Sequence, residues 1–278
     1  MTTGGWRIIG VMNNVDDGTG NLETRVKLIR KDALGDYSWD TSASNVNSGW
    51  GVNDWTQADL KNELNGDYLN TSLNANTNWY NGTNNSQSAT FDYTKRLSAS
   101  AQSLIGDAKW YLGGASCEDV YTSCDDVYDY SVAGEGTAML FYEYERGTKV
   151  WGSSTGQTCD DGACPRSTSW TGKVALAYPS DYGYAVGENV RSICLEKKLE
   201  NYESNNCHSS QWLLSYGWGW LISPYSEYSG NVLYFSYYEG LSNNPVTASN
   251  KVIPAVYLKS GVTISGGNGS PENPYVIG

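Results

Sequence analysis

Hydrophobic and polar positions alternate most cleanly near the start of the chain. Trp6–Met12 (WRIIGVM) and Leu22–Ile29 (LETRVKLI) read as strands; in the second, Leu22, Thr24, Val26 and Leu28 interleave with Glu23, Arg25 and Lys27. A period of two marks a strand with one face on a core. Asn13–Asn21 (NNVDDGTGN) is dense in turn formers, so the two strands form a hairpin. The period then lengthens. Leu60 and Leu64 lie one helical turn apart, with Asp54 or Thr56 as N-cap and Asn65-Gly66 as the stop. Leu97, Ala101, Leu104, Ile105, Ala108 and Leu112 form one apolar stripe that predicts a second helix over 94–112. Short strands follow at 138–142, 172–178, 218–223, 232–236 and 252–258, then a turn and a closing strand within 266–277. Two helices early and strands late predict an α+β domain on a twisted antiparallel sheet with long loops. No Pro/Ser linker interrupts residues 6–278, which read as one domain, with residues 1–5 (MTTGG) as a linker from a longer secreted protein.

Composition narrows the classes of partner. The chain of 278 residues carries a formal charge of −12, which repels phosphate backbones and anionic lipid, so neither nucleic acid nor membrane contact is expected. No apolar run approaches a membrane-spanning length, and the first residues do not form a signal peptide. Trp (11) and Tyr (22) far outnumber Phe (3), which suits half-exposed surfaces where an apolar ring carries a polar handle. The six cysteines fall in local pairs around polar loops: Cys117 with Cys124, Cys159 with Cys164, and Cys194 with Cys207. Local disulfides, and hence an extracellular setting, are the expectation, with free thiols and zinc as alternatives. Zinc is poorly served, because there is no C-x-x-C and the sole histidine is His208. The Asp16-Asp17-Gly-Thr-Gly-Asn run has calcium-type ligands but lacks the distal Glu of a full calcium loop, so it reads as a solvated turn. Neither a cofactor nor a metal is expected.

Candidate catalytic chemistry is sparse. A Ser-His-Asp or Cys-His arrangement would depend wholly on His208, which sits in a polar loop (NNCHSS), and no phosphate-binding or dinucleotide fingerprint occurs. An acid/base pair hidden among the 30 carboxylates is the enzymatic alternative. The informative segment is 212–250, where 21 of 39 residues are Ser, Tyr, Asn or Gly and only Glu227 and Glu239 are charged. Tyrosine gives rigid contact area at low entropic cost, and the small polar residues adapt their hydrogen bonds, as in antibody paratopes. Alternation makes Val232, Leu233, Phe235 and Leu241 anchors and turns Tyr234, Ser236, Tyr238, Ser242 and Asn244 outward. Asn243 is expected on the same exposed face, with Tyr216, Trp218, Glu227 and Tyr228 at or near it. An ordinary tyrosine-rich hairpin is the alternative.

The stretches WRIIGVMNNVDDGTGNLETRVKLIRKDALGDYSWDTS, GWGVNDWTQADLKNELNGDYLN, WTGKVALAYPSDYGYA, SPYS, IPAVYLKSGV and GNGSPENPYVIG resemble pilin-like surface proteins of gut Firmicutes with a C-terminal C-type-lectin-like domain. The resemblance covers nearly the whole chain. It implies a lectin-like fold with adjacent N- and C-terminal strands, and a segment of the kind diversified by retroelements that mutate adenines. Residues 212–250, followed by Ile253–Lys259, stand where such a segment belongs. Glu227, Glu239, Lys251 and Trp218 cannot arise from an Asn codon by adenine changes, and Ile253 stands where an Arg is expected. Calcium-dependent sugar binding is not carried over, because the Glu-Pro-Asn motif is missing. What the resemblance implies is a non-catalytic adhesion or display domain on the surface or pilus of a Gram-positive bacterium. Its ligand would be a protein or glycan on a host, bacterial or phage surface, with pilus subunits as further partners. A structural pilin subunit with antigenically variable loops is the second reading, and an enzyme with an unrecognised carboxylate site the third.

Overall fold

The computed structural model describes residues 5–40, 51–66, 68–69, 78–80, 88–90, 96–112, 137–145, 169–204, 206–225, 230–270 and 272–277. β1 (Trp6–Asp16) and β2 (Leu22–Arg30) form the expected antiparallel hairpin. Its turn is closed by the two aspartates. Asp16 accepts the Gly18 and Gly20 N–H groups, and Asp17 accepts from the Thr19 N–H, the Thr19 hydroxyl and the Asn21 amide. The bond from the Thr19 hydroxyl leads the causes that hold the Asp17 carboxyl down to about 2.

After the hairpin come β3 (Asp36–Tyr37), α1 (Asp59–Asn65), β4 (Asn78–Tyr80), β5 (Ser88–Thr90), α2 (Ala99–Leu104) and β6 (Ala108–Tyr111). The middle of the chain supplies α3 (Ala138–Glu145), β7 (Ser169–Gly172), β8 (Val174–Leu176), α4 (Pro179–Tyr184), α5 (Glu188–Cys194) and α6 (Asn206–Ser209). The last third holds β9 (Trp218–Pro224), β10 (Asn231–Ser236), β11 (Gly240–Pro245), β12 (Asn250–Lys251), β13 (Pro254–Tyr257), β14 (Ile264–Gly266) and β15 (Val276–Ile277). The main sheet runs β1-β2-β13-β8 and is antiparallel throughout; a second antiparallel sheet runs β11-β10-β9. A parallel bridge between Ala177 and Leu221 links them, with the Ile222 N–H donating to the Ala177 carbonyl at 3.0 Å. The fold is therefore α+β with mainly antiparallel strands.

Several elements differ from the sequence-based expectation. There are more helices than two, and each is short. The apolar stripe at 94–112 does not form one helix: α2 starts on the Ser98 cap, whose hydroxyl accepts the Ala101 N–H, and stops at Ile105. Beyond Gly106-Asp107 the chain becomes β6, where Ala108 and Trp110 are buried with the period of a strand. The run expected as a strand at 138–142 is α3, whose buried residues Ala138, Phe141 and Glu145 follow a helical period. Among the described residues the closing strand β15 pairs with β14 alone; it is β13, not the last strand, that lies beside the N-terminal hairpin. Asn273 donates its N–H to the Ser270 carbonyl and hydroxyl shortly before the chain returns to pair with β14.

The core has two parts. One gathers Trp39, Trp55, Trp110, Trp220, Tyr178 and Tyr257 with the aliphatics of α1, β8 and β13. The other gathers Ile29, Phe141, Tyr182, Tyr202, Leu233, Phe235 and Ile253. Three of these buried indole N–H groups find backbone acceptors, Trp39 donating to the Leu221 carbonyl, Trp220 to that of Tyr37 and Trp110 to that of Gly172, whereas the Trp55 N–H finds none among the described residues. Such an acceptor offsets the cost of placing the ring in a dry interior.

Three charged residues of β2 are buried, Arg25 and Lys27 on one side of the strand and Arg30 on the other. Leu22 is 64% exposed, whereas Arg25, Lys27 and Arg30 are buried. Arg25 donates to the Asp107 carbonyl and pairs with Glu23, and Arg30 donates to the Asp32 carbonyl. Lys27 meets Asp181 of α4, and its ammonium faces the rings of Tyr178 at 4.3 Å, Trp110 at 5.3 Å and Tyr257 at 5.6 Å. Asp181 also accepts the Tyr178 N–H at 2.7 Å, which caps α4. Next to it, Ser180 donates its N–H and its hydroxyl to Glu145 of α3.

Burial, and then the Asp181 charge, push the Glu145 carboxyl up from 4.5 to about 8, against the opposing pull of Ser180 and Lys27. In the unfolded chain it ionises near its ordinary value, so between these limits unfolding releases a proton. The resulting stabilisation is complete below about pH 4.5 and is lost as pH rises through about 8. Denaturant unfolding across that range should show stability falling with pH by up to about 1.4 kcal/mol per unit. Glu145→Gln should flatten the profile; an unchanged slope would mean that the proton is not held there. The Cys194–Cys207 disulfide joins α5 to α6 across a separation of 13 residues, as expected from the local pairing. Cys117, Cys124, Cys159 and Cys164 lie outside the described residues. Closing a loop of this length limits the unfolded chain, so replacing Cys194 and Cys207 with Ala should lower unfolding free energy by about 2–3 kcal/mol in denaturant titrations.

Candidate functional site

β10 and β11 form a hairpin whose ladder ends at Ser236 and Gly240, leaving Tyr237, Tyr238 and Glu239 as its tip. The tip is held by main chain and by a short polar side chain. Tyr237 donates its N–H to the Gly217 carbonyl at 2.8 Å, and Tyr238 donates its N–H to the Ser236 hydroxyl at 3.1 Å. Gly240 leaves the turn at φ +69°, which a side chain resists. Gly219 on β9 faces the Phe235 ring so closely that a Cβ there would lie 2.7 Å from it. The four expected anchors, Val232, Leu233, Phe235 and Leu241, are all buried, but Val232 lies on the opposite face of the strand from Leu233 and Phe235 and packs in the other part of the core.

Directly opposed residues of antiparallel strands share a face. Trp218, Trp220, Tyr234, Ser236 and Ser242 therefore lie on one side of the second sheet, and Asn244 opposes Val232 on that side. Tyr238 is 75% exposed at the tip, Trp218 is 41% exposed, and Tyr234, Ser242 and Asn244 are half-buried. Two placements depart from expectation. Ser236 is buried, because it closes the ladder opposite Trp218 and its hydroxyl turns to the Tyr238 N–H. Asn243 opposes Leu233 and so lies on the other face, where its side-chain carbonyl accepts from Asn231 at 2.7 Å. Glu227 and Tyr228 lie outside the described residues; Tyr216 ends a 3-10 turn over Trp212–Tyr216, and its side chain is likewise outside them.

Residues that alternation did not single out complete the surface. Tyr237 is 52% exposed and packs edge-on against Tyr238 at 5.4 Å and against His208 at 4.9 Å. Lys251 reaches over the Trp218 ring at 5.6 Å while pairing with Asp36 at 3.3 Å. The Tyr234 hydroxyl donates to the Glu239 carboxylate. Burial first, and that bond second, push the Tyr234 phenol up to about 12, so it stays a neutral donor. Gly240 after Tyr-Tyr-Glu was the available signal for the tip, since a glycine between two alternating runs marks a hairpin turn. His208 and Asp36 carried no comparable signal, because they arrive from distant parts of the chain.

Together these residues offer ring faces and edges, phenol and amide hydrogen-bonding groups, the carboxylates of Glu239 and Asp36 and the Lys251 ammonium on and around a fixed hairpin. That set can stack against and hydrogen-bond a ligand. Among the described residues, no group of three or more His, Cys, Asp or Glu side chains is placed to hold a metal ion. Comparison with protein-family models, with curated proteins and with solved structures finds no match to this chain.

Proposed function

We propose that this chain is a non-catalytic ligand-binding domain of a bacterial surface or pilus protein, with the β10–β11 tip as its recognition surface. We further read the fold as C-type-lectin-like and 212–250 as a diversified segment. The observation that carries the reading is the exposure of Tyr237 and Tyr238 on the hairpin tip, and of Trp218 on the adjoining strand β9, beside side chains sunk in the core. Clustered exposed rings are a solubility liability unless they are used for binding. The ligand is a protein or glycan on a host, bacterial or phage surface, as suits a paratope-like set of Tyr, Asn and Ser.

Binding of the labelled domain to panels of host cells, bacteria, phage particles and arrayed glycans identifies the target. On whichever target binds, Tyr237→Ala with Tyr238→Ala should weaken binding by about tenfold or more and leave the melting temperature nearly unchanged. Phe235→Ala should instead cost about 3–5 kcal/mol of folding stability, measured by denaturant unfolding. Unfolding of the double tyrosine variant, or full binding by it, would remove the tip from the ligand contact. Among sister genes, positions 237, 238, 242 and 244 should vary while Leu233 and Phe235 stay constant.

A further inference from the structure

Lys27 is fully buried, and Asp181 is 2% exposed and meets its amine through Oδ2. The two residues are 154 positions apart and are brought together by β2 and α4. On its other sides the amine faces the rings of Tyr178, Trp110 and Tyr257, with Tyr257 directly opposite Lys27 in the ladder. Ring faces favour a cation but accept a proton from it only weakly, so Asp181 is the amine's strong partner among the described residues. A third ionisable group stands beside this pair: Glu145, buried and bonded to Ser180, the neighbour of Asp181.

For stability alone this is an odd arrangement. A buried ion pair seldom outperforms apolar residues of the same size, and a second carboxyl next to it adds repulsion whenever it ionises. For condensation it is well suited. Amine and carboxyl are in contact, water is excluded, and Glu145 keeps a proton beside them over the neutral pH range. Groups held in attacking contact react at effective concentrations on the order of 10⁵ M or more.

We propose that Lys27 and Asp181 join as an intramolecular amide, with Glu145 as the proton relay. Proton transfer within the pair gives a neutral amine and a neutral carboxylic acid. The Nζ lone pair attacks Asp181 Cγ, one C–N bond forms, and one C–O bond breaks. The proton that Nζ sheds leaves on the departing hydroxyl by way of Glu145, which begins and ends protonated. One water is released, and nothing is oxidised or reduced. The product replaces two buried charges with a neutral amide, and exclusion of water from the site opposes its hydrolysis. The result ties β2 to α4 across the main sheet. This inference concerns the core and stands apart from the ligand-binding reading.

The test is the intact mass of the whole purified chain, fully reduced and denatured. It should be lower than the sequence mass by one water. A tryptic digest should contain a branched peptide in which Val26–Arg30 is joined to Val174–Arg191 through Lys27 and Asp181. Asp181→Asn should give the same branched product with loss of ammonia instead of water. Lys27→Arg keeps the cation but cannot form this amide, so its mass should equal that of its sequence. Glu145→Gln, verified as folded by circular dichroism, should form the bond at least tenfold more slowly. The bond's formation rate in freshly refolded wild type should fall as pH rises through about 8, where Glu145 loses its proton. A wild-type chain at full sequence mass would overturn the proposal, as would a water deficit that survives in Lys27→Arg. Unslowed bond formation in folded Glu145→Gln would remove Glu145 from it.

Discussion

A lysine amine with no exposure to solvent sets the terms for the rest of this fold. Lys27 belongs to β2, the acid that answers it belongs to α4, and the rings around it come from β6, from the residue capping α4, and from β13. A charge removed from water needs its partner in place, and these elements are far apart in sequence. The contact therefore rewards one arrangement of the chain over compact alternatives that would leave the amine alone. Arg25 and Arg30, buried on the same strand, add to this demand through the backbone carbonyls they engage. The buried charges of β2 thus select the topology, while the apolar residues around them supply most of the free energy of burial.

The second sheet divides the core into its two parts. Along β10, Val232 and Tyr234 pack with the tryptophan-rich cluster, and Leu233 and Phe235 pack with the other. A strand gripped on both faces has little freedom to slip, since a shift by one residue would exchange every contact at once. Phe235 stacks on Tyr182 at 5.7 Å, and Trp220 meets Tyr234 edge-on at 6.4 Å, so rings secure both sides. The tip beyond this strand is therefore presented from a rigid base.

Much of the architecture was legible in the sequence because it is local. The N-terminal hairpin, the helix carrying Leu60 and Leu64 with its Asn65-Gly66 stop, the strands at 218–224 and 231–236, and the Cys194–Cys207 pairing all rest on short-range signals, although that helix starts on Ala58 without a side-chain cap and not on the expected Asp54 or Thr56. Tertiary context decided what was missed. On β2, alternation gave the period correctly, but it could not say that Arg25 and Lys27 would face inward, since that depends on Asp107 and Asp181. At 138–142 a short apolar run fitted either element, and the helix became visible only with Glu145 as the next buried position. Around the tip, parity failed at Ser236, because a residue that ends a ladder answers to the turn as well as to the strand.

The hydrogen bond from the Tyr237 N–H to the Gly217 carbonyl has a consequence for the history of this surface. It is made by peptide groups, so any residue other than proline at position 237 can keep it. The path of the tip is thereby uncoupled from the chemistry it displays: substitutions at 237 and 238 would change texture and affinity while the loop kept its course. A lineage carrying such a tip could sample many surfaces without refolding each one, with proline the variant that selection would be expected to purge.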